Sequence, residues 1–186
     1  MSGQHSGRYV GPYAILHSRP IYENPWIKVR EDRVSHREGP ESVFGVVVMK
    51  SGVTVLPLEE NGDVHLVREF KYALGDYSLE AISGALESGE GPEQAGIREL
   101  REECGLVAGE WVDMGLLHPF TTIIHSPNHM FLARGLSKDR HVREPQEDLE
   151  IVTMPFEDAC YAVLRGQITH GASCALILKT KLFLER

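Results

Sequence analysis

Between residues 84 and 106 the chain sets Gly84, Glu90, Arg98, Glu99, Leu100, Glu102, Glu103, Gly105 and Leu106 at the spacing G-x5-E-x7-R-E-U-x-E-E-x-G-U, where U is a bulky aliphatic. With background frequencies of roughly 5–8% per residue type, its fixed identities coincide by chance about once in 10⁸ start sites. The segment is also a self-consistent helix. Pro92 suits the first turn, where its missing N–H costs nothing, and Gly105 suits the position just past the end, which predicts a helix over Pro92 to Cys104. At 100° per residue, Ile97, Leu100 and Cys104 share one face, while Glu99, Glu102 and Glu103 share roughly the opposite one. The first face seeks a core. The second seeks cations, because carboxylates packed within two turns repel unless neutralised, and hard oxygen ligands select Mg²⁺ or Mn²⁺. Arg98 stands ready to hold one carboxylate in place. Gly84 and Gly89 let the preceding loop bend tightly and present a carbonyl, such as that of Ser83, to a metal.

Those residues resemble the Nudix box, the signature of hydrolases that use divalent metal to cleave a nucleoside diphosphate linked to another moiety. The resemblance implies Glu99 and Glu103 as metal ligands one helical turn apart, with Glu102 shared between metal binding and catalysis.

The rest of the chain is read from period and punctuation. Its 186 residues, 42% hydrophobic, supply one sizeable core. Candidate strands run from Tyr13 to Val34 with a break at Asn24-Pro25, then Ser42–Met49, Val53–Leu58 and Val64–Phe70, the last two joined by Asn61-Gly62 as a hairpin. After the box helix come strands Trp111–Leu117, Met130–Leu136 and Leu149–Met154, then helices Phe156–Arg165 and Ser173–Leu184. This order resembles the Nudix fold, an α/β class with a mixed sheet in an α/β/α sandwich, preceded by an extra N-terminal β segment. The division expected is a β segment over 1–40, the candidate dimer-forming part, and a hydrolase domain over 41–186.

The extra segment resembles the ADP-ribose and nucleoside diphosphate sugar branch of that family. Val67-Arg68-Glu69-Phe70-Lys71-Tyr72 resembles the branch's V-R-Q-Y-R-Y strand, and Leu79-Glu80-Ala81-Ile82-Ser83-Gly84 its W-E-L-P-A-G approach to the box. Glu147 to Ile151, Pro155-Phe156-Glu157 and Gly166-Gln167-Ile168 resemble its E-x-E, P-x-E and G-x-I tail. The resemblance implies Arg68, Lys71 and Glu80 as substrate contacts, with Tyr22 and Trp26 as aromatics on which adenine stacks, although core packing is the stronger expectation for either aromatic alone. It implies a homodimer. It points to Glu147 as the base that activates water, with Glu144 and Glu150 as neighbours; a solvated loop over Arg143–Glu150 is the equal alternative.

The departures from the branch concern substrate choice. Lys71 stands where the branch has an arginine fork, supplying charge without bidentate geometry. Pro119 lies fourteen residues past Gly105 and Pro127 twenty-two, either side of the roughly sixteen expected of an ADP-ribose hydrolase. The loop from Pro119 to His129 also lacks the acid of the branch's P-G-x-x-x-E loop.

Charge and composition exclude other classes. With 19 basic and 27 acidic residues the net charge is −8, which disfavours a broad nucleic-acid or anionic-membrane surface. The start MSGQHSGRYVG lacks a signal-peptide run, and no run of about 18 apolar residues occurs, so a cytoplasmic protein is expected. Cys104, Cys160 and Cys174 read as reduced core thiols, and the nine histidines show no metal-ligand spacing. Three functions follow in order: a Mg²⁺- or Mn²⁺-dependent pyrophosphatase of ADP-ribose or a related nucleoside diphosphate sugar, a triphosphate-sanitising hydrolase, and a non-catalytic nucleotide-binding protein.

Overall fold

A computed structural model describes residues 8–37, 39–139 and 149–186. In chain order its elements are β1 (Tyr9–Val10), β2 (Tyr13–Glu23), β3 (Ile27–His36), β4 (Glu41–Met49), β5 (Gly52–Pro57), β6 (Asp63–Lys71), β7 (Asp76–Glu80), β8 (Ile82–Ala85), α1 (Pro92–Cys104), β9 (Leu106–Leu117), β10 (Ile124–His125), β11 (Asn128–Lys138), β12 (Leu149–Pro155), α2 (Phe156–Leu164) and α3 (Gly171–Leu184). They fall into two compact units, one comprising residues 1–50 with 120–126 and the other 51–119 with 127–186.

The first unit is a single sheet in the order β1-β2-β3-β4-β10. β2 and β3 form an antiparallel pair turned by Asn24, whose side-chain oxygen accepts the Trp26 and Ile27 N–H groups at 2.9 and 2.7 Å. The break expected at Asn24-Pro25 is therefore an Asn-anchored turn. Among this unit's described residues only Ala14, Asp32 and Val34 are buried, and Ile21, Tyr22, Trp26 and Val43 are all more than half exposed. The expected core packing of Tyr22 and Trp26 is thus not what the structure shows, because a single sheet offers these aromatics no second layer.

The second unit is built from two sheets, in the orders β8-β5-β11-β9 and β12-β6-β7. Alternation along the central strands sorts its core into two layers. Val53 and Val55 of β5 and Phe131 and Ala133 of β11 pack in one cluster with Ala95 and Leu100 of α1. Leu56 of β5 and Met130 and Leu132 of β11 pack in the other, with Ala159 of α2 and Leu176 and Ile177 of α3. Helices thus cover both faces of the β5–β11 pair, which joins in parallel and so requires both faces buried. Gly96 allows α1 to lie close on the sheet: a Cβ there would stand 3.1 Å from Val55 and 3.2 Å from Trp111.

Two expectations need correction. The Asn61-Gly62 turn is present, with Gly62 at φ +90° and the Glu59 N–H donating to the Asp63 carbonyl at 2.8 Å. Yet β5 and β6 share only the Leu58–Val64 bridge and then part into different sheets, β5 pairing with β8 and β11 and β6 with β7 and β12. Each strand buries more apolar surface with its separate partners than a two-stranded ribbon provides. Second, Asp76–Glu80 and Ile82–Ala85 are strands that alternation alone did not mark. Both are short and interrupted by polar and small residues. All three cysteines are free, with Cys160 buried and Cys104 and Cys174 half-buried, as expected of reduced thiols.

Candidate active site

Helix α1 runs over Pro92–Cys104, the span its caps predict. The Gly91 N–H donates to the Gln94 side-chain oxygen at 3.0 Å, and Gly105 closes the helix in the left-handed region at φ +62°, its N–H donating to the Arg101 carbonyl. Fixed at both ends and seated through Leu100, the helix turns Glu99, Glu102 and Glu103 into a small cleft of about 70 Å³. Its remaining walls are Leu149 of β12 and a fourth carboxylate, Glu69 of β6.

Arg98 organises the box. Its Nε and Nη2 donate to the two oxygens of Glu90 at 2.9 and 3.1 Å, its Nη1 to Glu99 at 2.7 Å and Glu102 at 3.2 Å, and its Nη2 also to the Ala85 carbonyl at 3.1 Å. Five bonds engage the full donor capacity of a guanidinium. Arg98 therefore positions the box carboxylates, and Glu90 in turn accepts the Glu87 N–H at 3.0 Å, tying the loop to the helix. Arg98, expected from the sequence to hold one carboxylate in place, bonds three of them and has no donor left over.

Gly84 explains why the box begins with glycine. A Cβ at that position would lie 1.8 Å from Glu99 Oε1. The carboxylate occupies the space a side chain would need.

Glu103 is the residue least satisfied by the protein. Its Oε2 is buried with no hydrogen-bond partner, and burial, followed by the nearby charge of Glu99, pushes its carboxyl up to about 8 despite Lys71 and a backbone hydrogen bond at Ser83. Burial likewise raises Glu99 above the ordinary range, and the Arg98 guanidinium opposes it. A buried carboxylate oxygen without a donor, beside further carboxylates, is a site that a hard divalent cation would neutralise. Among the described residues no three acidic, His or Cys side chains already meet closely enough to enclose an ion. Arg98 and Lys71 engage their oxygens instead.

The other expected contacts are distributed differently. Lys71 Nζ lies 2.6 Å from Glu69 and 3.8 Å from Glu80. Glu80 is 5% exposed and also lies 3.3 Å from His170 Nδ1, which in turn is 2.8 Å from the Ser173 hydroxyl. Glu80 is thus a buried tie between β7 and the start of α3 and is not among the walls of the acidic cleft. Burial, with Lys71 behind it, draws the His170 imidazole toward its neutral form against the pull of Glu80. Arg68 alternates with Glu69 and so takes the opposite face of β6 from the cleft, where it pairs with Glu150 at 3.3 Å and stacks over Tyr77 at 4.7 Å. The structure thus does not bring Arg68 to the box carboxylates. Trp26 belongs to the first unit, 70% exposed. Ser83 pairs with Thr54 across β8 and β5, one residue before the glycine against Glu99. Glu144 and Glu147 lie outside the described residues. Sequence reasoning missed Glu69 and His170. Glu69 sat in plain view within the β6 fragment, but only the packing of β6 beside α1 shows that it joins the box.

With this geometry in place, the comparisons assign the class. The NUDIX domain model matches residues 49–173, and the chain belongs to that family, an enzyme of the pyrophosphatase kind. The nucleoside diphosphate sugar hydrolase N-terminal domain matches residues 14–47. Among curated relatives, the ADP-ribose pyrophosphatase of Mycobacterium tuberculosis is 27% identical over 172 residues, covering 89% of this chain and 82% of that protein. The ADP-ribose pyrophosphatase of Bacillus subtilis is 30% identical, covering 75% of this chain and 76% of that protein. A solved structure titled as an ADP compounds hydrolase superposes with a TM-score of 0.81 at 18% identity, over 96% of this chain and 97% of that one, and supports the fold.

Proposed function

We propose that this chain hydrolyses the diphosphate bond of ADP-ribose or a related nucleoside diphosphate sugar, using Mg²⁺ or Mn²⁺, to give a nucleoside monophosphate and a sugar phosphate. The observation that carries this reading is the succession of two matches on one chain, a nucleoside diphosphate sugar hydrolase N-terminal domain directly before a NUDIX domain. The names of the Mycobacterium and Bacillus relatives agree with it.

Glu99, Glu103 and Glu102 would hold the cation, with the Ser83 carbonyl as a further oxygen. When bound, a divalent ion supplies charge neutralisation to the diphosphate and acidity to water. Arg98 keeps Glu99 and Glu102 in place through its fixed fork, so these oxygens need little reorganisation to receive the charge. Gly84 leaves room for Glu99 to turn inward. Glu147, two residues before Leu149 in the sequence, is the proposed base that takes a proton from the attacking water. Lys71 supplies a positive charge beside Glu69, one of the walls of the cleft.

The exposed sheet of the first unit supports a homodimer as the working form, and Trp26 is a candidate base-stacking residue there. No described helix is long and apolar enough to cross a membrane, and a cytoplasmic location is proposed.

The test is product analysis with purified chain and Mg²⁺ or Mn²⁺ against ADP-ribose, other nucleoside diphosphate sugars and nucleoside triphosphates. AMP with ribose phosphate from ADP-ribose, or the matching pair from another sugar nucleotide, supports the reading. Inorganic pyrophosphate released from a triphosphate would replace it with a sanitising hydrolase, and binding without turnover with a nucleotide-binding protein.

A further inference from the structure

We propose that Glu69, on β6 and outside the box, is a carboxylate ligand of the cation site, and that Lys71 is the internal counter-ion it gives up when a divalent ion enters. The inference rests on the metal-dependent reading above and extends it to two residues that the box pattern does not contain.

Three observations carry it. Glu69 lines the same small cleft as Glu99, Glu102 and Glu103, and is the one acidic wall that helix α1 does not supply. Glu69 shares that cleft with Glu103, whose buried Oε2 has no hydrogen-bond partner within the protein. A fourth carboxylate beside an orphaned one costs stability unless a cation neutralises it, a role that Lys71 fills for Glu69 in the absence of metal. Third, Lys71 is placed for exchange. One ammonium stands 2.6 Å from Glu69 and 3.8 Å from Glu80.

If Glu69 turns to a cation, Lys71 retains Glu80, so the half-buried ammonium is not stranded. Glu80 in turn is held by His170 Nδ1 at 3.3 Å, and His170 by Ser173, whose hydroxyl also accepts the Ala81 N–H at 2.9 Å. The second partner of Lys71 is thus anchored to α3 and does not move with the cleft. The residue types also matter: glutamate stands where the resembling branch strand carries glutamine, and lysine where it carries arginine. An uncharged amide cannot replace a carboxylate as an anionic ligand, and a single-point ammonium releases one partner more readily than a bidentate guanidinium.

The experiment is a Mn²⁺ titration of the full chain followed by electron paramagnetic resonance, without nucleotide, for wild type, Glu69→Gln, Lys71→Met and Glu103→Gln. Thermal melts in EDTA verify that each variant is folded. The expected result is opposite shifts: Glu69→Gln weakens Mn²⁺ binding by about 10–100-fold or removes one bound ion, whereas Lys71→Met tightens it by removing the competing charge. A purely structural ion pair between Glu69 and Lys71 would change Mn²⁺ affinity only a few-fold and by an amount that salt screens away, so a loss of about 10–100-fold that persists at high ionic strength, or the loss of one bound ion, marks Glu69 as a ligand. Unchanged Mn²⁺ binding in both, with loss in Glu103→Gln, overturns the proposal and leaves the hydrolase reading intact. If Glu69→Gln does not fold, Lys71→Met decides alone, and an unchanged or weaker affinity overturns it. Conversely, opposite shifts in a chain that turns over no nucleotide would sustain this proposal and sink the hydrolase reading.

Discussion

The backbone of Gly84 and the carboxylate of Glu99 are so close that a Cβ on the glycine would lie 1.8 Å from Oε1 and 2.1 Å from the carboxyl carbon. Gly84→Ala must therefore push Glu99 out of position or shift β8. Because misplacement of a reacting group by about 1 Å costs roughly 10²-fold in rate, turnover is expected to fall by about that factor or more, with weaker Mn²⁺ binding. Steady-state kinetics alongside a metal titration measure both. Wild-type values in Gly84→Ala would show that Glu99 does not act from this position.

Arg98 holds Glu90, Glu99 and Glu102 together with the Ala85 carbonyl. Replacement by Met removes the fork and leaves Glu90 and the half-buried Glu99 without their shared partner, so stability should fall. Lysine should restore little of it, since a point charge cannot bond three carboxylates at once. Urea unfolding of the two variants tests this; full rescue by Arg98→Lys would mean that charge alone, without geometry, organises the box.

The pH dependence of the metal-free protein follows from Glu103. Its folded pKa of about 8 lies above the ordinary 4.5, so between those values the folded chain keeps a proton that the unfolded chain has released. Stability contributed by this group is full below about pH 4.5 and is lost as pH rises toward 8, by an amount on the order of a few kcal/mol. Glu99, raised in the same direction, adds to the trend. Melts in EDTA from pH 5 to 8 should show wild type losing ground to Glu103→Gln, and saturating Mg²⁺ should erase the wild-type slope. Parallel pH curves for the two proteins would refute the buried, orphaned state of Glu103. The same substitution should abolish metal-dependent turnover.

Glu147→Gln is expected to slow turnover by about 10²–10⁴-fold if this residue is the base. Glu150 is a useful contrast: it is mostly exposed and paired with Arg68 on the face of β6 away from the cleft, so Glu150→Gln should change kcat little. Solvent-facing pairs of this kind contribute about 0–1 kcal/mol. A large kcat loss in Glu150→Gln with none in Glu147→Gln would reassign the base.

Much of this protein was legible in its sequence, and for a common reason. The bounds of α1 follow from Pro92 and Gly105, which act within one turn of where they stand, and the layers of the core follow from alternation along β5 and β11. The clustering of Glu99, Glu102 and Glu103 on one helical face is likewise a local consequence of 3.6 residues per turn. Such features need no knowledge of what the rest of the chain does.

Tertiary structure decided everything that required two distant segments to meet. Glu69 belongs to the acidic cleft because β6 packs beside α1, and nothing local distinguishes it from Arg68, which alternation sends to the other face. Glu80 is closed off because His170, ninety residues later in the chain, caps the start of α3 against it. β5 and β6 look like a hairpin at their turn but part into separate sheets, since their better partners, β11 and β12, come far downstream. Local spacing states which face a side chain takes; only the packed chain states what that face meets, because the free energy that selects the pairing is gained by burying surfaces remote in sequence.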